Sequence, residues 1–239
     1  MKLYVYCLAE RIDALTTPVT GISGAQVDLI KVDDITVLVS EFQGDAAPPV
    51  TRDNALAHDA VVRSLLDETT PLPCRFGTVQ TESQLRSYID THRAALDARL
   101  AQVHGCVEMS VKIISNKDET DLEASDPANQ GPGARFLKEK RREILGGEHR
   151  REEAKQVAAW LHEQVETHVK QEEVSLCPTE KLIVAAAHLV AREEVTKYRD
   201  QLAEARKTRP ELHFLISGPW PPYTFSNIEL EFKTLFGVS

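Results

Sequence analysis

Apolar and polar positions alternate almost from the first residue. Leu3 to Leu8 reads as one strand, Val27 to Val32 as a second and Ile35 to Phe42 as a third, with Asp33-Asp34 making a tight hairpin between the last two. A loop with Pro48 and Pro49 precedes Ala57, Ala60, Val61, Ser64 and Leu65, whose spacing predicts one face of a helix. Pro71 to Val79 is a short apolar segment punctuated by proline. Thr81-Glu82-Ser83-Gln84 then has the form of a capping box, and Leu85, Tyr88, Ile89, Leu96, Leu100 and Val103 form the buried stripe of the helix it starts, which Gly105 ends.

Beyond Gly105 the order is simpler. Val107 to Ile114 alternates as a strand. A helical region is expected from about Ala134 to Gln171, broken or bent at Gly146-Gly147, with Ala154, Val157, Ala158, Leu161, Val165 and Val169 facing the core. A short strand near Val174 to Cys177, a longer one from Leu182 to Val190, a helix from Arg192 to Lys207 with Val195, Tyr198, Leu202 and Ala205 inward, and a last strand from Leu212 to Ser217 complete the pattern. The expected class is α+β in two domains. Residues 1–104 form the first; residues 105–239 form the second, with the βαββαβ order of a modified ferredoxin-like fold and an extended helical region. The second domain is expected to include an acidic loop, 115–132, and the aromatic and proline-rich tail.

Charge changes this picture in one respect. The 239 residues carry a formal net charge of −9, and the acidity belongs to residues 1–104 (net −5) and 105–133 (net −4), while 134–239 is neutral. Ser115 to Pro132, rich in Asp and Glu and containing Pro and Gly, reads as a mobile acidic loop. Nucleic-acid binding is disfavoured, because it needs a dense positive surface to release counterions. No apolar run reaches the roughly 20 residues that span a bilayer, and neither a membrane partner nor a signal peptide is expected. Cys7, Cys74, Cys106 and Cys177 are widely spaced with no CxxC, which suits reduced, small apolar residues of a cytosolic protein better than a disulfide framework.

Candidate chemistry is sparse. His162 and His168 lie six residues apart, about 240° around a helix, so they cannot share a metal from one face and are expected on a solvated face. Gly131-Pro132-Gly133 lacks the surrounding pattern of a phosphate loop, and the cluster Lys138, Lys140, Arg141 and Arg142 is interleaved with Glu139 and Glu143. His58 could pair with Asp53 or Asp59, although a structural hydrogen bond from the helix to a neighbouring loop is the commoner use. No nucleophile, paired carboxylates or cofactor motif emerges, so no enzyme activity, catalytic residue, metal or cofactor is expected.

Two segments stand out. In Leu72-Pro73-Cys74-Arg75-Phe76-Gly77-Thr78, prolines fix an extended chain around a single arginine that is expected to be a buried, paired anchor. In Ser217-Gly218-Pro219-Trp220-Pro221-Pro222-Tyr223-Thr224-Phe225, three prolines stiffen a ledge of aromatic side chains. Such a ledge suits either partner binding or a clamp against the first domain; Trp220 fits the clamp and Tyr223 the partner contact.

LPCRFGT and GPWPPYTF, together with KLYVYCLAE and ITVLVSEF near the start, resemble the gas vesicle protein F/L family over nearly the whole chain. Cys74 stands where many members have a larger apolar residue. The resemblance implies a two-domain α+β protein with a ferredoxin-like second domain, acting as an accessory or minor structural protein of gas vesicle assembly. It further implies binding of the small hydrophobic shell protein during nucleation, restraint of its aggregation, contact with other gas vesicle accessory proteins, and location at the gas vesicle after a cytoplasmic stage. Arg75, Phe76, Gly77, Trp220, Pro221, Pro222, Tyr223 and Phe225 are the partner-binding or structural residues of these motifs. The alternative from a different class is a small-molecule enzyme or ligand sensor built on a ferredoxin-like domain, since that fold hosts many functions.

Overall fold

The structure, a computed structural model, describes residues 1–16, 18–44, 47–115, 132–177, 179 and 181–226, with backbone alone over 132–146. It mixes helix and sheet, with two antiparallel sheets. The chain divides into two compact units, Met1–Glu108 joined by the chain from Pro219 onwards, and Met109–Gly218.

In the first unit the sheet is formed by β1 (Lys2–Glu10), β2 (Asp28–Val32), β3 (Ile35–Phe42), β4 (Leu72–Pro73) and β5 (Val79–Thr81), with β2-β3-β1-β4 in order and β5 also pairing with β1. β2 and β3 pair from Val32↔Ile35 to Asp28↔Val39 across the two-residue turn, where Asp33 takes φ 52°. β1 is central, and every residue from Leu3 to Ala9 is buried. Two helices, α1 (Arg52–Arg63) and α2 (Glu82–Val103), contact it. The capping box forms as expected: the Thr81 hydroxyl accepts from Gln84 N while the Gln84 side chain accepts from Thr81 N. All of the predicted α2 stripe is buried except Tyr88, which is half-buried. On α1 the inward stripe is His58, Val61 and Val62, continued by Leu65 in the turn that follows, while Ala60 is exposed. An alanine gains little by burial, so the imidazole and two valines set the rotation of the helix.

The second unit runs β6 (Cys106–Ser115), α3 (Pro132–Val165), β7 (Val169–Leu176), β8 (Leu182–Ala191), α4 (Val195–Thr208), β9 (Leu212–Trp220). The sheet order is β7-β8-β6-β9. Met109, Val111, Ile113, Val184, Ala186, Val190, Leu212 and Phe214 from the strands meet Ala154, Val157, Leu161 and Val165 of α3 and Tyr198 and Leu202 of α4 in one core. Two expectations are corrected here. The helix does not reach Gln171: it ends at Val165, and a 3-10 turn at Glu166–His168 leads into β7, which begins at Val169 rather than Val174. α3 also runs unbroken through Gly146-Gly147, which removes the break but not the bend from the expectation.

The domain limits change too. The first unit extends to Glu108, and the segment from Pro219, assigned above to the second domain, belongs to the first. The reason is local: a short helix α5 (Tyr223–Ser226) contacts α2 and β4, and Thr224 bonds to Glu108. Of the acidic loop expected over 115–132, Ser115 ends β6 and Pro132 begins α3, and the rest lies outside the described residues.

Candidate site around the aromatic and proline segment

Within the first unit the two singled-out segments come together. Leu72 and Pro73 form β4 on β1, with Cys7↔Pro73 and Leu8↔Leu72 in register; proline is tolerated because this short strand lies at the sheet edge. Cys74 N donates to Tyr6 O at 2.8 Å and Val5 N to Thr78 O at 2.9 Å, so the loop between β4 and β5 stays stitched to β1. The loop closes on itself through the Arg75 carbonyl, which accepts from the Thr78 hydroxyl at 2.7 Å and from Thr78 N at 3.2 Å. Gly77 turns the chain at φ +87°, a conformation that favours glycine.

Under this loop lies an aromatic cluster. Gly77 N donates to the Tyr4 hydroxyl at 3.1 Å, and that hydroxyl lies 2.9 Å from His58 Nδ1. Having accepted from Gly77, the hydroxyl donates to Nδ1, which leaves the proton of the neutral ring on Nε2. Phe76 meets both Tyr4 and His58 edge-on, at 6.2 and 5.9 Å between ring centroids. His58 Nε2 is buried with no hydrogen-bond partner among the described residues. Burial lowers the His58 pKa to about 4, against the opposing effects of the Cys74 backbone and Asp59, and the ring is therefore neutral near pH 7. His58 does make a structural hydrogen bond, to Tyr4 of β1, and none to a carboxylate among the described residues.

Asp59, one position on, faces the other segment. Its Oδ2 accepts from Arg63 Nε at 2.6 Å, an i,i+4 pair on α1, and its Oδ1 accepts from the Tyr223 hydroxyl at 3.1 Å. The Arg63 guanidinium lies 3.9 Å from the centroid of the Trp220 ring. A single ion pair thus orients both aromatic side chains of the ledge. Desolvation, reinforced by the charge of Asp59, pushes the Tyr223 hydroxyl well above the usual phenol range. From below, Glu108 accepts from Thr224 N and from the Thr224 hydroxyl, both at 2.8 Å, and so satisfies an orphan donor at the start of α5. Burial raises the Glu108 pKa, and the two Thr224 donors oppose the shift. Pro221, Pro222 and Phe225 are buried, Trp220 is half-buried, and Tyr223 keeps 40% of its surface exposed.

In the second unit, His188 is buried with Nδ1 2.6 Å from the Tyr198 hydroxyl, and its Nε2 lies 3.8 Å from Glu172. Glu172 pairs instead with His162 Nδ1 at 2.9 Å, and His168 pairs with Glu194 at 2.8 Å. The two histidines of the sequence motif thus go to different carboxylates. Burial lowers the His188 pKa to about 4, while Glu172 raises that of His162. Among the described residues no group of three or more His, Cys, Asp or Glu side chains could hold a metal ion, and no helix is long and apolar enough to cross a membrane. The four cysteines are unbridged.

The family profile for gas vesicle synthesis protein GvpL/GvpF matches residues 2–227. The chain belongs to the GvpL/GvpF family. It is 26% identical to gas vesicle protein F1 of Halobacterium salinarum, over 96% of this chain and 94% of the relative. It is 25% identical to gas vesicle protein L of a Streptomyces species, over 95% and 94%. The crystal structure of GvpF from Anabaena sp. shares its fold, with a TM-score of 0.79 at 21% identity, covering 95% of this chain and 98% of the other. GvpF from Microcystis aeruginosa does likewise, with a TM-score of 0.74 at 22% identity over 95% and 99%.

In this GvpL/GvpF chain one motif residue departs from expectation. Arg75 is exposed, and among the described residues its guanidinium makes no hydrogen bond or ion pair. The loop is held instead by the buried Cys74, the half-buried ring of Phe76 and the Arg75 carbonyl, while the extended segment turns the arginine outward. Asp59, Arg63 and Glu108 were missed as site residues. The i,i+4 spacing of Asp59 and Arg63 was visible, but no local pattern ties Glu108 to Thr224 across more than a hundred residues.

Proposed function

We propose that this member of the GvpL/GvpF family acts in gas vesicle assembly by binding the small hydrophobic shell protein during nucleation and limiting its aggregation, with the Trp220–Phe225 ledge as the contact. We read the chain as a non-enzymatic accessory or minor structural protein. It would work with other gas vesicle proteins, start in the cytoplasm and end at the vesicle. Its second unit is read as ferredoxin-like from the βαββαβ order and the β7-β8-β6-β9 sheet. The observation that carries the contact is the exposure of Tyr223, at 40%, in a segment whose neighbours Pro221, Pro222 and Phe225 are buried. An aromatic side chain already held by Asp59 and a stiff backbone loses little entropy on binding an apolar partner.

The test is affinity for purified shell protein alongside the denaturant midpoint. Tyr223→Ala should weaken binding by about 2 kcal/mol or more, a hot-spot magnitude, while the midpoint moves little. Arg75→Ala should leave the midpoint unchanged and report whether the exposed guanidinium also touches the partner. Undiminished affinity in Tyr223→Ala would remove the ledge as the contact, and no affinity in the parent protein would remove the shell protein as the ligand.

A further inference from the structure

The aromatic ledge leaves unused the two histidines His162 and His168, which bracket the corner where α3 gives way to β7. His162 lies on the last turn of α3, and its half-exposed ring reaches across to β7, where Nδ1 is 2.9 Å from Glu172 Oε1. Its other nitrogen, Nε2, is 3.5 Å from Oε2 of Glu166 in the 3-10 turn. Glu172 is paired in register with His188 of β8, and its second oxygen, Oε2, lies 3.8 Å from His188 Nε2. His188 is fully buried. Its Nδ1 is 2.6 Å from the Tyr198 hydroxyl of α4, and its Nε2 has no hydrogen-bond partner among the described residues. One carboxylate thus stands between an imidazole at the surface and an imidazole in the core.

Protons decide which way that carboxylate leans. Burial holds the Tyr198 hydroxyl well above the usual phenol range, so it keeps its hydrogen. With a carboxylate facing Nε2, the neutral His188 ring carries its proton there and accepts from Tyr198 at Nδ1. The Nε2–H is then an orphan donor in the core, costly to leave unmade. What draws Glu172 away from it is His162. The hydrogen bond and charge of Glu172 raise the His162 pKa above its ordinary 6.5, with smaller contributions from Glu166 and Glu163; the protonated ring donates from both nitrogens, and the neutral ring from one. The charged pair is therefore fully present below pH 6.5 and is lost as the pH rises through the raised value. His188 stays neutral throughout, since burial lowers its pKa to about 4. β7, α3 and α4 all pack against β8, and at the next turn Glu194 is already engaged by His168 at 2.8 Å and Lys197 at 2.7 Å. We propose that Glu172 is a proton-linked latch: with His162 charged it is held out against α3, and with His162 neutral it turns to His188 Nε2–H and fastens β7 to the core. The movement is small, about 1 Å from the present separation to a hydrogen bond. It couples the surrounding pH to how firmly β7 is seated on β8.

The experiment is an NMR titration of the whole protein with nitrogen-15 in its eight histidines, followed across about pH 5.5 to 8.5, where histidine titrates. His162 is expected to titrate with a midpoint above 6.5. The His188 ring should stay neutral, yet its Nε2 resonance should move with the His162 midpoint as its N–H gains an acceptor. Exchange of the β7 amides, corrected for its intrinsic pH dependence, should slow about fivefold above that midpoint, the equivalent of one ordinary hydrogen bond. In Glu172→Gln the His162 midpoint should fall toward 6.5 and the His188 resonance should become independent of pH. In His162→Gln the His188 resonance should hold its high-pH position throughout. The denaturant midpoint followed by Trp160 fluorescence checks that both variants are folded, and the titration of the parent protein needs no variant. A His188 resonance in the parent that ignores the titration of His162 would overturn the proposal, as would an unchanged His162 midpoint in Glu172→Gln. Protonation of His188 itself within this range would overturn it in favour of direct titration of the core.

Discussion

Lowering the pH from 7 to about 4.5 should destabilise the first unit through His58 alone by a calculable amount. The ring sits 4% exposed among Tyr4, Tyr6 and Phe76, with Nδ1 taken by Tyr4 and Nε2 buried without a hydrogen-bond partner among the described residues. Desolvation lowers its folded pKa from 6.5 to about 4. Between these values the unfolded chain binds a proton that the folded protein refuses, so stability falls as the pH falls through this window and levels out below the folded value. The full difference is about 3 kcal/mol, and about 2.5 kcal/mol of it is lost by pH 4.5. The chain has two tryptophans, with Trp220 in the first unit and Trp160 in the second, so Trp160→Phe leaves a reporter of the first unit alone. Urea midpoints of that protein across the pH range, with and without His58→Gln, isolate the contribution, because glutamine keeps an acceptor for Tyr4 but cannot titrate. The parent should lose about 2.5 kcal/mol more than the His58→Gln variant on acidification. Equal slopes in the two proteins, or an NMR titration of His58 centred above pH 6, would refute the burial argument.

Three further outcomes follow from single contacts. Glu108→Ala leaves Thr224 without its acceptors and should lower the Trp220-reported midpoint by about 2 kcal/mol, while Glu108→Gln, which keeps one acceptor, should lose less. Gly77→Ala should cost about 1–2 kcal/mol in urea unfolding; at φ +87° the added Cβ meets, among the described residues, only Ala47 Cβ, at an ordinary contact distance of 3.5 Å, so the penalty is backbone strain. Thr81→Ala removes the capping box of α2 and should cost about 1 kcal/mol, with most of it recovered in Thr81→Ser.

How much of this could be read beforehand varied with the range of the interaction. β3, from Ile35 to Phe42, was legible because its alternation is bounded by the Asp33-Asp34 turn, and the start of α2 because Thr81 and Gln84 bond within one helical turn. β7 was hidden: Lys170, Gln171, Glu172 and Glu173 on an edge strand bury too little to imprint a period of two, and the helical stripe of α3 points straight into Val169. On α1 the rotation depended on His58 finding Tyr4, a contact 54 positions away. Arg75 was read as buried from its apolar neighbours, but in an extended segment successive side chains point opposite ways, and Cys74 is the one that turns inward. The ledge was recognised as a unit, while its support from Asp59, Arg63 and Glu108 arises only when distant parts of the chain meet.

The interrupted course of the first unit bears on synthesis. Its first stretch ends at Glu108 and its last begins at Pro219, so on a ribosome the intervening 110 residues emerge before the unit can be finished. At about 5–20 residues per second that delay is roughly 6–22 s, long compared with the folding of most small domains. Throughout it the Glu108 carboxylate has neither Thr224 donor, and α1 presents Asp59 and Arg63 without their aromatic partners. The second unit completes its own strands in the meantime. The arrival of Trp220 and Thr224 is then the closing event for the first unit, and a nascent chain arrested before residue 219 should hold a protease-sensitive N-terminal half beside a resistant second unit.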